Sequence, residues 1–164
     1  MSHSYCTNIV HCVFSTKNRE ASIPEDMLEK MWAYLSGIAE NHSIGTLAIG
    51  GIANHVHLLI AVPQTMTVAS AVIALKANSS RWMREHSKTF EWQKGYGAFS
   101  VSPSQVEPVK QYIRTQAEHH AKHSFEEEFI SLLQKPVTHR CRGGLTNSAA
   151  PRLVFATSCS VSAC

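Results

Sequence analysis

The chain predicts an α+β fold, a ferredoxin-like (split βαβ, RRM-like) antiparallel sheet with one helix appended at its C-terminal end. Three observations predict it. Apolar residues alternate with a period of two in some segments and recur at helical spacing in others. The order of those segments is β-α-β-β-α-β-α. The second and third strands are joined by a link short enough for an antiparallel hairpin.

Residues 5–16 alternate around Ile9, Val10, Val13 and Phe14 and read as the first strand. Ser22-Ile23-Pro24-Glu25 is a capping-box pattern with proline in the first turn, and Leu28, Met31, Leu35 and Ile38 continue a helix to about Asn41. Residues 43–50 form a second strand closed by Gly50-Gly51, and residues 55–62 a third, stopped by Pro63. Thr67 can cap a second helix whose stripe is Val68, Ala71, Val72, Leu75, Ser79 and Trp82. Residues 95–102, with Tyr96, Phe99 and Val101 among glycines and serines, read as a fourth strand near an edge or a ligand. Ser104-Gln105-Val106-Glu107 is another S-x-x-E start, opening a third helix that continues to about His123. A further amphipathic piece spans 125–133. In this arrangement the first and third strands are the central pair, helices one and two cover one face, and helix three can cross the other.

A length of 164 residues fits one domain, which can bury roughly 70% of its unfolded surface. The domain is read over residues 1–135; from Pro136 the chain turns rich in Ser, Ala, Thr and Cys, a divergent and loosely packed tail over 136–164. No run approaches the ~20 apolar residues of a membrane span, so no membrane partner is expected. No secretory signal pattern opens the chain, and the five cysteines are scattered without a C-x-x-C pair, which points to a reduced, cytoplasmic protein. Cys6 and Cys12 sit in a strand pattern as small buried thiols. A net charge of +3 does not by itself announce a nucleic-acid binder, but Lys76, Arg81, Arg84, Lys88 and Lys94 cluster, and Lys110 and Arg114 flank Tyr112.

The chemistry lies in four side chains. Alternation along a strand puts His55 and His57 on one face, and a spacing of four puts Tyr112 and Gln116 on one face of a helix. Two neutral imidazoles, an amide oxygen and a phenol can surround one divalent ion. A free phenol has a pKa near 10, so roughly one in a thousand is ionised at neutral pH, and attack on phosphorus must offset about 4 kcal/mol or be assisted by a cation. No acidic pair lies near the motif, which disfavours a two-carboxylate, two-metal nuclease. An RNA-recognition module would carry aromatics on its third strand, and this one carries none. A cupin-type site would want a glutamate soon after the histidine pair, and a two-histidine phosphoesterase a second motif; neither is present.

These residues resemble a known family. His55-Val56-His57-Leu58-Leu59-Ile60, Gly95-Tyr96-Gly97-Ala98-Phe99-Ser100-Val101-Ser102 and Tyr112-Ile113-Arg114-Thr115-Gln116 are similar to the motifs of the single-tyrosine HUH transposases of small bacterial insertion sequences, including their REP-associated relatives. The stretch from Asn8 to Arg19 is similar to the family's first strand and its basic exit, and the resemblance covers residues 4 to about 135. It implies Tyr112 as the nucleophile and His55, His57 and Gln116 as ligands of Mg²⁺ or Mn²⁺. It implies single-stranded DNA hairpins as substrate, a 5′-phosphotyrosine intermediate, and a bacterial cytoplasmic, nucleoid-associated homodimer with sites shared between subunits. Lys17, Arg19, Lys76, Arg81, Arg84, Lys110 and Arg114 are then the expected DNA contacts. The tail departs from the family's charged, aromatic-containing ending and reads as a frameshifted or recombined end. The alternative is a catalytically inactive DNA-binding protein, a domesticated transposase or repressor with the same surface.

Overall fold

The computed structural model describes residues 7–116 and Ile130. Residues 1–6, the expected extension of helix three past Gln116 and the 136–164 tail lie outside the described residues. So does the expected piece at 125–133, apart from Ile130, which is helical and exposed.

Four antiparallel strands, β1 (Ile9–Ser15), β2 (Gly45–Ile52), β3 (His55–Ala61) and β4 (Gly97–Ser100), lie in the order β2-β3-β1-β4. This is the α+β, ferredoxin-like sheet the sequence predicts, with β1 and β3 central and β4 at an edge. Helices α1 (Glu25–Asn41) and α2 (Val68–Met83) pack together on one face. There the core gathers Val10, Cys12 and Phe14 of β1 and Val56, Leu58 and Ile60 of β3 against Met31, Leu35, Val72 and Leu75. Beside them the Trp92 ring stands edge-on to Phe14 and to Phe90, 4.9 Å from each, and its indole N–H donates to Ser79 Oγ at 2.9 Å. Helix α3 (Val106–Arg114) lies on the other face, against β2 and β3. Among the described residues no helix is long and apolar enough to cross a membrane.

The boundaries differ from the sequence expectation for local reasons. Neither S-x-x-E pattern forms a capping box: Pro24 occupies the α1 cap position and Gln105 that of α3, neither with a side-chain cap bond. Glu25 and Asp26 instead place negative charge in the first turn of α1, where the helix dipole favours it. Thr67 does cap α2, its Oγ1 accepting from the Ser70 N–H at 3.1 Å. Ser43, at φ 58°, turns the chain out of α1, so β2 starts at Gly45 rather than residue 43. Gly50 and Gly51 do not end β2. They pair with His57 and Val56, and the hairpin closes through Ala53 and Asn54. At Gly51, φ is 154° and a Cβ would collide with the His55 carbonyl oxygen, so the bend requires glycine.

Candidate active site

Strand alternation sends Val56, Leu58 and Ile60 into the α1–α2 core, which leaves His55, His57 and Leu59 on the α3 face. Both histidines are fully buried, with ring centroids 5.0 Å apart and planes at 78°. Register extends this face sideways. His11 of β1 pairs with Leu59 on one side and Phe99 of β4 on the other, Val13 pairs with His57, and Ser15 with His55.

Helix α3 reaches this face because Gly50 has no side chain. A Cβ there would sit 2.5 Å from the Ile113 carbonyl oxygen and 3.0 Å from Ile113 Cγ2. With Ile113 buried against the sheet, Tyr112 stands over His57 and His11, its ring edge-on to His57 at 5.9 Å and to His11 at 6.2 Å between centroids. Gln116, past the end of α3 at Arg114, is 1% exposed. Within one chain Tyr112 lies over His57, but α3 ends at Arg114 with Thr115 as its cap, so Gln116 does not share the continuous helix with Tyr112 that the sequence led us to expect.

Two neighbours hold the histidine rings. The Asn54 Oδ1 lies 2.6 Å from His55 Nδ1, and His11 Nε2 lies 3.0 Å from His57 Nδ1. An amide oxygen only accepts, so His55 donates from Nδ1, which in the neutral ring leaves the lone pair on Nε2. Three buried atoms, His55 Nε2, His57 Nε2 and Gln116 Oε1, make no hydrogen bond among the described residues. Two imidazole nitrogens and an amide oxygen are a donor set that suits a divalent ion, so these residues fit the expected metal. Among the described residues no group of three His, Cys, Asp or Glu side chains could hold a metal; the third donor here is an amide. Cys12 belongs to the opposite face, where burial pushes its thiol up to about 12 and leaves it inert at neutral pH.

Residues 4–116 match the family model described as IS200-like transposase. The chain belongs to that family. Two solved structures resemble this IS200-like transposase, each with a TM-score of 0.57. One is a proposed transposase from Deinococcus radiodurans R1, 22% identical, with 71% of this chain and 96% of that one covered. The other is a REP-associated tyrosine transposase bound to a REP hairpin, 12% identical, with 95% of this chain and 98% of that one covered. At those identities they show the shared fold. Comparison with curated proteins finds no match.

On this IS200-like transposase the basic residues divide between the two sides of the sheet. Lys17 and Arg19 follow β1 at the end where Ser15 meets His55, and Lys110 and Arg114 lie on α3. The Lys17 ammonium pairs with the Glu91 carboxylate at 2.6 Å and Lys110 with Glu107 at 2.7 Å. Both are surface pairs of little weight that a phosphate could compete for. Lys76 and Arg81 sit on α2 and Arg84 at its C-terminal cap, across the sheet from Tyr112. Lys76 Nζ donates to the carbonyls of Gln93, Lys94 and Gly95 and lies 5.4 Å from the centre of the Phe14 ring. Arg84 donates to the Phe90 carbonyl at 3.2 Å and to Ser80 Oγ at 3.0 Å. These two cations tie α2 to the segment before β4. Sequence reasoning missed His11 and Asn54. His11 was legible only once β1 was paired beside β3, and Asn54 is the residue immediately before the histidine motif.

Proposed function

We propose that this transposase cleaves and rejoins single-stranded DNA at hairpin ends through a covalent link to Tyr112, with His55, His57 and Gln116 holding Mg²⁺ or Mn²⁺. The observation that carries the reading is the Tyr112 ring 5.9 Å from His57, above a strand whose two histidines point to the same face. When bound, a divalent ion would draw charge from a non-bridging phosphate oxygen and make phosphorus more electrophilic.

The chain's own groups do the rest. Packing of Ile113 on Gly50 fixes the helix that presents the Tyr112 hydroxyl, so the nucleophile is positioned before substrate arrives. The phenol oxygen attacks phosphorus, the bond from phosphorus to the 3′ oxygen breaks, the phenolic proton is lost and the departing 3′ oxygen gains one. The products are a 5′-phosphotyrosine and a free 3′-hydroxyl. Attack by a different 3′-hydroxyl on that linkage reverses the exchange and restores Tyr112, so no external energy source is needed. Lys17, Arg19, Lys110 and Arg114, on the Tyr112 side or at the His55 end, are the better-placed cations for the DNA backbone. A homodimer would serve to bring two cut ends together. The protein would act in the cytoplasm, where the DNA is.

The test uses single-stranded hairpins from DNA flanking the gene, labelled at the 3′ end, incubated with protein and Mg²⁺ or Mn²⁺ and run on a denaturing gel. A shifted band that needs the metal supports the enzyme. Retention on a native gel with no covalent band identifies an inert hairpin-binding protein instead.

A further inference from the structure

We propose that His11 is a positioning residue: it fixes the ring and the tautomer of His57 so that Nε2 carries the lone pair offered to the ion. The proposal rests on the metal-assisted reading above and assigns a role on β1, a strand that reading leaves without one.

A hydrogen bond between two imidazole nitrogens needs one N–H and one lone pair. The His11 Nε2 to His57 Nδ1 contact, 3.0 Å, can be made in two ways. If His11 donates, His57 carries its own proton on Nε2 and cannot ligate through that atom. If His57 Nδ1–H donates, Nε2 holds a lone pair and can bind a cation. Ligation through His57 Nε2 therefore selects the second arrangement, with His11 as acceptor and its own proton on Nδ1. His11 does for His57 what the Asn54 amide does for His55.

The surroundings favour a held acceptor over a mobile one. His11 is 3% exposed, its ring is stacked on His57 at 5.2 Å with planes 28° apart, Phe99 lies 6.2 Å away on the neighbouring strand and Tyr112 6.2 Å away on the helix. The ring is thus bounded from β3, β4 and α3. Both acceptors are neutral, where a carboxylate would add negative charge beside the ion. A neutral outer layer leaves more of the ion's charge for the phosphate.

The experiment compares wild type, His11→Leu and His11→Gln as metal-free proteins. Leucine removes the acceptor, whereas glutamine supplies an amide oxygen that can replace it. Three quantities are read: thermal melting, Mn²⁺ affinity by calorimetry, and the ¹⁵N shifts that report which nitrogen of His57 bears the proton. The expected result is a folded His11→Leu protein with Mn²⁺ binding weakened about 10- to 100-fold. Its His57 should shift toward a mixture of tautomers, and glutamine should recover most of both losses. A wild-type His57 protonated on Nε2, or Mn²⁺ affinity unchanged in His11→Leu, overturns the proposal. Equal losses in the leucine and glutamine variants also overturn it, since they would mean the ring only fills space. If wild type binds no Mn²⁺ yet His57 loses its Nδ1 proton in His11→Leu, the positioning role stands and the metal reading falls.

Discussion

Replacing Gly50 with alanine should injure the site without touching any of its polar groups. The added Cβ would lie 2.5 Å from the Ile113 carbonyl oxygen, 3.3 Å from its carbonyl carbon and 3.0 Å from Cγ2, where ordinary contact begins at 3.4 Å. The side-chain methyl can rotate away, but the carbonyl belongs to the helix backbone and cannot. Relief requires α3 to lift by about 1 Å, a misplacement that can cost on the order of 100-fold in rate when it moves a reacting group. Tyr112 precedes Ile113 on that helix and would move with it. Overpacking of this kind costs about 1–3 kcal/mol of stability, a fall in melting temperature of several degrees for a domain of this size. The assay is the rate of covalent adduct formation, with thermal melting in parallel. The control is Gly37→Ala on the exposed side of α1, where nothing lies within 4 Å of the new Cβ and the substitution should stabilise by about 0.5–1 kcal/mol. A Gly50→Ala protein that melts and reacts like wild type would refute the claim that α3 is seated on this glycine.

Thr67→Ala removes the acceptor for the Ser70 N–H at the start of α2 and should cost about 1 kcal/mol by chemical denaturation, with the adduct rate unchanged because α2 lies across the sheet. Lys76 gives a pH signature. Burial pulls its ammonium from an ordinary 10.5 down to about 8, against the three carbonyls that favour the charged form. Between those values the unfolded chain keeps a proton that the folded chain releases, so this site makes stability rise as pH goes from about 8 toward 10.5. Lys76→Met should flatten that rise in denaturation curves taken across the window. Identical slopes in the two proteins would mean that the carbonyls fully offset burial.

The parts of the site visible in the sequence are those set by local periodicity. Two histidines one residue apart on a strand must share a face whatever the rest of the chain does. The same reasoning for Tyr112 and Gln116 assumed one continuous helix, and α3 ends between them at Arg114. That β3 is central and that α3 can cross above it followed from the order of elements. His11 needed more, because a strand's partner and register are long-range facts. Its alternation with Ile9 and Val13 was visible, but its contact with His57 was not. The basic cluster around α2 shows the converse, that closeness along the chain does not reveal what the fold places beside a cation. Lys76 and Arg84 are close to other cations along the chain, yet their donors are taken by carbonyls that the fold brings back from residues 90–95. The capping patterns failed for a smaller reason, since Pro24 and Gln105 hold the cap positions that serine was expected to take.

A bond between Tyr112 and a 5′ phosphate is the defining feature of the proposed reaction, and peptide mass spectrometry of the reacted protein reads that bond directly. After digestion with protease and nuclease, the peptide containing Tyr112 should carry a nucleotide mass in wild type with Mn²⁺. It should carry none in Tyr112→Phe or His57→Ala, both shown to be folded by their melting curves. A nucleotide on any other residue, or an adduct that persists in Tyr112→Phe, would contradict the central claim.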